Sequence, residues 1–321
     1  MVLERSIAPE PTASPMKKLF LFVAISFATV ISGSAALDTT KIDNLTGLKG
    51  KLNEKEGVYK VTFPRDDVKI VVDGWTMPPF MGLGTWAAFT KGAHTEAMVM
   101  GDTVLFEDEV NAAMSAALDN GLSVTALHNH FFFDQPKVYF MHIEGEGSVE
   151  KLASAVKKIY DTTKAIRGPK AKPAESFSVV VAASLPEKNS ITAAPLNEIF
   201  DMQGEAKDGM VKFTIGRPAK MHDVKIDKDM GVNTWAAFAG SDDNAVVDGD
   251  FAVTEDELQP VLRSLLDDKI NIVAIHQHMT YEEPRIMFFH YWGRGRAKDL
   301  ANAVKGGFVV GGLLKVSSPL P

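Results

Sequence analysis

Six of the eight histidines in this 321-residue chain fall into two matched sets: His128, His130, His142 and His276, His278, His290. The local segments are Leu127-His128-Asn129-His130-Phe131 and Ile275-His276-Gln277-His278-Met279. Each continues through a proline, Pro136 or Pro284, into an aromatic run, the third histidine and a Gly-x-Gly at Gly145/Gly147 or Gly293/Gly295. Side chains alternate along a strand, so both members of each His-x-His share one sheet face. A hairpin folded about Pro136 sets His130 opposite His142 and His128 opposite Glu144. The same arrangement about Pro284 sets His278 opposite His290 and His276 opposite Trp292. Directly paired Cβ atoms lie about 4.5–5.5 Å apart, close enough for three imidazoles to meet one ion at metal–nitrogen distances of about 2.0–2.1 Å. Three imidazoles with an open position suit a divalent transition metal: Zn, Cu or Fe. Glu144 then serves as a fourth ligand or general base in the first set. Trp292 offers no such chemistry, so the two sites are not equal. Asp134 and Glu282-Glu283 stand at the expected hairpin tips, where Glu282 joins Glu144 as an acid–base candidate or simply sits in a solvated turn. The competing reading of both sets is a hydrogen-bonded polar cluster without an ion, since duplication preserves residues without preserving purpose. His94 and His222 belong to neither set and read as surface residues.

Composition narrows the chemistry further. The chain has no cysteine, which excludes disulfide scaffolds, cysteine zinc sites, iron–sulfur clusters, thiol nucleophiles and lipidation on cysteine. Any metal must be held by imidazole, carboxylate or carbonyl oxygen. A net charge of −7 disfavours phosphate-based nucleic-acid binding. The expected partner is a small molecule or the metal itself, and the oligomeric state is left open. No serine nucleophile elbow appears, and Gly145-Glu146-Gly147 lacks the further glycine or lysine of a phosphate loop.

The elements that must position these histidines occur twice. Thr85-Trp86-Ala87-Ala88-Phe89 returns as Thr234-Trp235-Ala236-Ala237-Phe238, and residues 95–157 align with 243–305 at a constant offset of 148. Gly101-Asp102 matches Gly249-Asp250 and reads as a turn; Glu107-Asp108-Glu109 matches Glu255-Asp256-Glu257. So long a period indicates tandem duplication of a small domain rather than a solenoid. In copy one, strands are expected near 58–63, 67–72, 84–90, 96–105, 122–130 and 137–145. Helices are expected over 107–120 and from Ser148 to about Tyr160. In copy two, Thr254 to Glu257 forms a capping box that marks a helix start. The pattern predicts an α+β fold: two tandem copies of an antiparallel sheet with helices on one face, able to share one core. Trp86 and Trp235 read as core aromatics or as the floor of a pocket.

The N-terminal stretch reads as an address. Lys17-Lys18 precede an apolar run from Leu19 to Ile31 and the small residues Ser32-Gly33-Ser34-Ala35-Ala36. That is the pattern of a secretory signal peptide, with Met16 as the start and cleavage after Ala36. The expected organisation is a signal peptide over 1–36, copy one over 37–166, a linker over 167–187 and copy two over 188–321. The protein is expected to be exported, periplasmic or secreted, without a membrane anchor once cleaved.

The duplicated Thr-Trp-Ala-Ala-Phe, the Gly-Asp followed by an acidic helix start, and His-[Asn/Gln]-His…Pro…His-x-x-Gly-x-Gly resemble the LppY/LpqO family, an exported bacterial domain of unknown function. The resemblance spans about residues 40–315 and implies export and a duplicated domain, but no established activity. Its founding members are lipoproteins; this chain has no cysteine to carry a lipid. Copy two is closer to the family pattern, through Glu283-Pro284-Arg285 and His290-Tyr291-Trp292-Gly293, which favours copy two as the active site.

Overall fold

The computed structural model describes residues 37–168, 172–175 and 185–314. The expected signal peptide and much of the expected linker lie outside the described residues. Copy one runs α1 (Thr39–Thr46), β1 (Lys51–Asn53), β2 (Val58–Pro64), β3 (Val71–Val72), β4 (Trp75–Thr76), β5 (Gly84–Thr90), β6 (Ala97–Phe106), α2 (Val110–Asp119), β7 (Ser123–His128), β8 (Asp134–Gln135), β9 (Val138–Gly147) and α3 (Val149–Arg167). Copy two repeats the order as α4 (Ala193–Phe200), β10 (Glu205–Lys207), β11 (Met210–Gly216), β12 (Ala219–Met221), β13 (Val224–Ile226), β14 (Asn233–Gly240), β15 (Ala245–Thr254), α5 (Glu255–Asp267), β16 (Asn271–His276), β17 (Glu282–Glu283), β18 (Ile286–Gly295) and α6 (Ala297–Val310). The α+β architecture is the expected one. Gly101-Asp102 is not a turn, however: both it and Gly249-Asp250 lie mid-strand, in β6 and β15.

All the long strands belong to one antiparallel sheet of order β1-β2-β5-β6-β9-β7-β16-β18-β15-β14-β11-β10. The order is a palindrome of the two copies, joined where β7 meets β16 at the pair Leu127–Ile275. One side of this sheet carries the helices and a single apolar core drawn from both copies, with Phe89, Met141, Phe213, Phe289 and Phe308 among its buried members. Alternation sends the intervening residues to the other face. There Val104, Phe106, Val138 and Phe140 pack beneath a small sheet of β4, β3 and β8. Ala252, Ile286 and Phe288 pack in the same way near β13, β12 and β17.

The junction between copies is completed by side-chain amides. The Gln259 amide bonds both the N–H and the carbonyl of Val124, each at 2.9 Å. Its counterpart Asn111 accepts from the Ile272 N–H at 2.9 Å and donates to Asn271 Oδ1 at 2.8 Å. These contacts satisfy backbone groups that would otherwise be left unpaired where the β7–β16 ladder is short.

The acidic helix starts are also structural. Glu257 closes the expected capping box by accepting from the Thr254 N–H at 2.9 Å. Glu109 does the same from the Phe106 N–H at 3.0 Å, and its buried carboxylate also takes Arg65 at 2.7 and 3.0 Å and Arg167 at 2.9 Å. Removing one partner from a buried ion network strands the others' charges and costs about 3–5 kcal/mol. Glu109→Ala should therefore lose about that much in urea unfolding. Glu257→Ala, whose Arg217 partnership is partly exposed, should lose about 1 kcal/mol. Equal losses would contradict this assignment.

Candidate metal centre

The histidines lie on the sheet face opposite the helices, but not in the expected register. Ala126, not His130, pairs with His142; His128 pairs with Phe140 and Ser123 with Glu144. In copy two Ala274 pairs with His290, His276 with Phe288 and Asn271 with Trp292. The prolines do not sit in tight hairpin turns. Between β7 and β9 the chain leaves the main sheet and adds β8 to β3, and between β16 and β18 it adds β17 to β12. These excursions, with a bulge between Val124 and Ala126 and another between Ile272 and Ala274, displace the pairing. At the strand ends that carry the histidines, the displacement is an even number of residues, so the imidazoles keep their face.

In copy two the result is a compact donor set. His276 Nε2 and His278 Nε2 are 3.1 Å apart, and His278 Nε2 is 3.5 Å from Asp250 Oδ2. One ligand atom from each of Asp250, His276 and His278 lies within 4.8 Å of the others. The His290 ring stacks on His276 with centroids 4.7 Å apart, and its Nδ1 is 3.3 Å from the Gly249 carbonyl. His278 is held by Phe288, centroids 3.6 Å apart, and by the Gly231 carbonyl at 3.2 Å from its Nδ1. That contact leaves Nε2 facing the cluster. Asp250 Oδ1 and His276 Nδ1 are buried with no hydrogen-bond partner, a cost of about 1–3 kcal/mol each for a purely structural cluster.

Asp250 enters the set because β15 borders β18 on the far side from β16, with Asp250 paired directly to His290. Gly249 permits this approach: a Cβ there would fall 2.2 Å from the Tyr291 ring and 2.4 Å from the Trp235 carbonyl. Tyr291 donates to that same carbonyl at 3.0 Å. Trp235 pairs with Asp250 from the other side, so the half-buried tryptophan is a wall beside the carboxylate, with Lys212 Nζ 4.2 Å over its ring.

Burial sets the electrostatics. It pushes the Asp250 carboxyl up to about 7, against the opposing pull of His290. It pushes His276 down to about 4, helped by the neighbouring His290 and His278, and lowers His278 as well. Imidazoles that stay neutral keep a lone pair available to a metal.

Copy one has the same plan with looser convergence. Asp102 pairs with His142 and with Trp86, and its Oδ1 is also buried without a partner. Burial raises the Asp102 carboxyl and lowers His130. The rings of His128, His130 and His142 stack at centroid distances of 5.1–5.2 Å, and His130 lies flat on Phe140 at 3.4 Å. Among the described residues, only copy two brings three ligand atoms as close as 4.8 Å.

The two glutamate candidates fall outside the centre. Glu144 is exposed, opposite Met100 and Ser123. Glu282 is not in a solvated tip but buried, accepting from the Ile286 N–H at 3.3 Å beside Arg285. Asp134 is buried in the same role, accepting from the Val138 N–H at 2.8 Å. These acids close the cross-over turns. His94 and His222 are exposed, as expected.

Asp102 and Asp250 are the site residues that sequence reasoning missed. The available signal was an acid, repeated at equivalent positions, inside an otherwise apolar run.

The sequence profile of a family described as Domain of Unknown Function (DUF1259) matches residues 40–162 and again 194–309. The chain belongs to the DUF1259 family. The double match accords with two copies of one unit. No curated protein matches the chain. Among solved structures, a trimeric bacterial microcompartment shell protein, PduB, is similar over 81% of this chain and 89% of its own, at 11% identity and a TM-score of 0.22. A TM-score so low demonstrates no common fold.

The lowered His276 pKa is directly measurable. In a histidine-resolved NMR titration of metal-free protein, His276 should stay neutral down to about pH 4. A midpoint near the ordinary value of about 6.5 would show that the ring is solvated and the site open to bulk water.

Proposed function

We propose that this DUF1259 protein is an exported metal-dependent enzyme whose centre lies in copy two. Asp250, His276 and His278 are the ligands, with the His290 ring stacked on His276 beside them. The observation that carries this reading is the approach of two imidazole nitrogens to 3.1 Å, with a carboxylate oxygen 3.5 Å away. Donor atoms on one tetrahedral ion with bonds of about 2.0–2.1 Å stand about 3.3–3.4 Å apart, so the set is close to ligating geometry. A mixed imidazole and carboxylate set suits a divalent first-row ion, Zn, Cu or Fe. Three such ligands leave a position for water or a substrate oxygen, which the ion would activate or polarise. His278 keeps about a third of its side chain exposed, consistent with access from solvent.

Metal analysis tests this. The untagged protein should carry about one equivalent of a transition metal per chain. A His276→Ala/His278→Ala variant that still shows native circular dichroism should carry none. Absence of bound metal under every loading condition overturns the reading. Cobalt substitution separates catalysis from sequestration: an exchangeable ligand position supports an enzyme, whereas a saturated shell points to metal storage.

Export rests on the Lys17-Lys18 and apolar N-terminal pattern and on the resemblance to LppY/LpqO. The protein recovered from periplasm or medium should begin after Ala36. Full-length protein confined to the cytosol would overturn export.

A further inference from the structure

The two histidine clusters are not separate patches. One transverse row of the sheet reads Trp86, Asp102, His142, Ala126 across copy one. The Leu127–Ile275 pair carries that row over the junction to His276 and then Phe288. The related row reads Trp235, Asp250, His290, Ala274 and continues to His128 and Phe140. Each row therefore holds the carboxylate and third histidine of one copy and the first histidine of the other, with a single alanine between them. Both alanines are half-buried, and each contributes only a methyl group to this face between its flanking histidines. His128 and His276 are one strand apart laterally and two residues apart along the strand, an ideal Cα separation of about 8 Å.

The halves also differ. Copy two draws two imidazole nitrogens and a carboxylate together, with the His276 and His278 rings tilted 44° to each other. In copy one His128 and His130 instead stack face to face with planes 12° apart. The third-ring contact, His130 flat on Phe140, is common to both halves, as His278 on Phe288. A divalent ion held by Asp250 and neutral imidazoles leaves one positive charge on a partly buried face, and desolvation favours neutralising it. An oxygen monoanion does so.

Resting on the metal reading above, we propose that the clusters form one composite ligand site. The copy-two ion takes the carboxylate of a monoanionic ligand, and a planar apolar body lies over Ala126 and Ala274 against the stacked His128 and His130 rings of copy one. Copy one is then the recognition half, not a second metal centre.

Cobalt-loaded full-length protein, titrated with acetate and with benzoate and followed by the cobalt absorption bands, tests this. Benzoate should bind about threefold to tenfold more tightly than acetate, the range expected for added ring stacking. Ala126→Leu, which fills the gap, and His130→Ala, which removes part of the stack, should each abolish that preference. Both should leave cobalt stoichiometry and acetate affinity unchanged. Equal affinities in the parent protein, a preference that survives both substitutions, or a second cobalt equivalent lost in His130→Ala would overturn the proposal. Failure to bind cobalt at all is read before any anion is added, and it removes the metal reading itself.

Discussion

The pairing of β7 with β16 turns two small domains into one structure. Each copy alone would end its sheet at a strand whose N–H and C=O groups had no partner, an edge open to aggregation. Antiparallel joining at Leu127 and Ile275 removes both edges at once, merges the two apolar faces into one core and aligns the non-helical faces. The ladder is short, and Asn111 and Gln259 complete it from the helix side. Because these two residues are equivalents in the repeat, one ancestral position supplies both seals, through different amide lengths and different hydrogen-bond patterns.

The same junction explains why polar chemistry sits at mid-sheet. A carboxylate in a central strand is expensive unless paired or protonated. Asp102 and Asp250 occupy such positions, walled by tryptophan on one side and histidine on the other. Glu109 shows the structural solution to the same problem, with two arginines and a backbone N–H saturating its oxygens. Asp250 lacks such partners for Oδ1. The contrast separates an acid that stabilises the fold from one that the fold tolerates, which is where functional groups are expected.

Much of this was legible in the residues. The repeated Thr-Trp-Ala-Ala-Phe, the period-2 runs and the Thr254–Glu257 capping box specify local structure through propensity and alternation, so the α+β class and the duplication follow from them. The shared face of each His-x-His also followed, because strand alternation needs no knowledge of neighbours. The partners opposite each histidine did not. Register depends on how the cross-over segments leave the sheet and on bulges at Thr125 and Val273, which short-range pattern cannot supply.

The sequence by itself determined which residues carry chemistry and that they come in two sets, because residue identity and period-2 geometry are local properties. Only the tertiary structure decided that Asp250 joins His276 and His278, that Glu282 closes a turn, and that both sets open on one continuous face. Those outcomes depend on strand order and lateral register. Here they bring together residues from β15, β16 and the loop after it, with β18 between the two strands, and set copy one beside copy two across a single bridging pair.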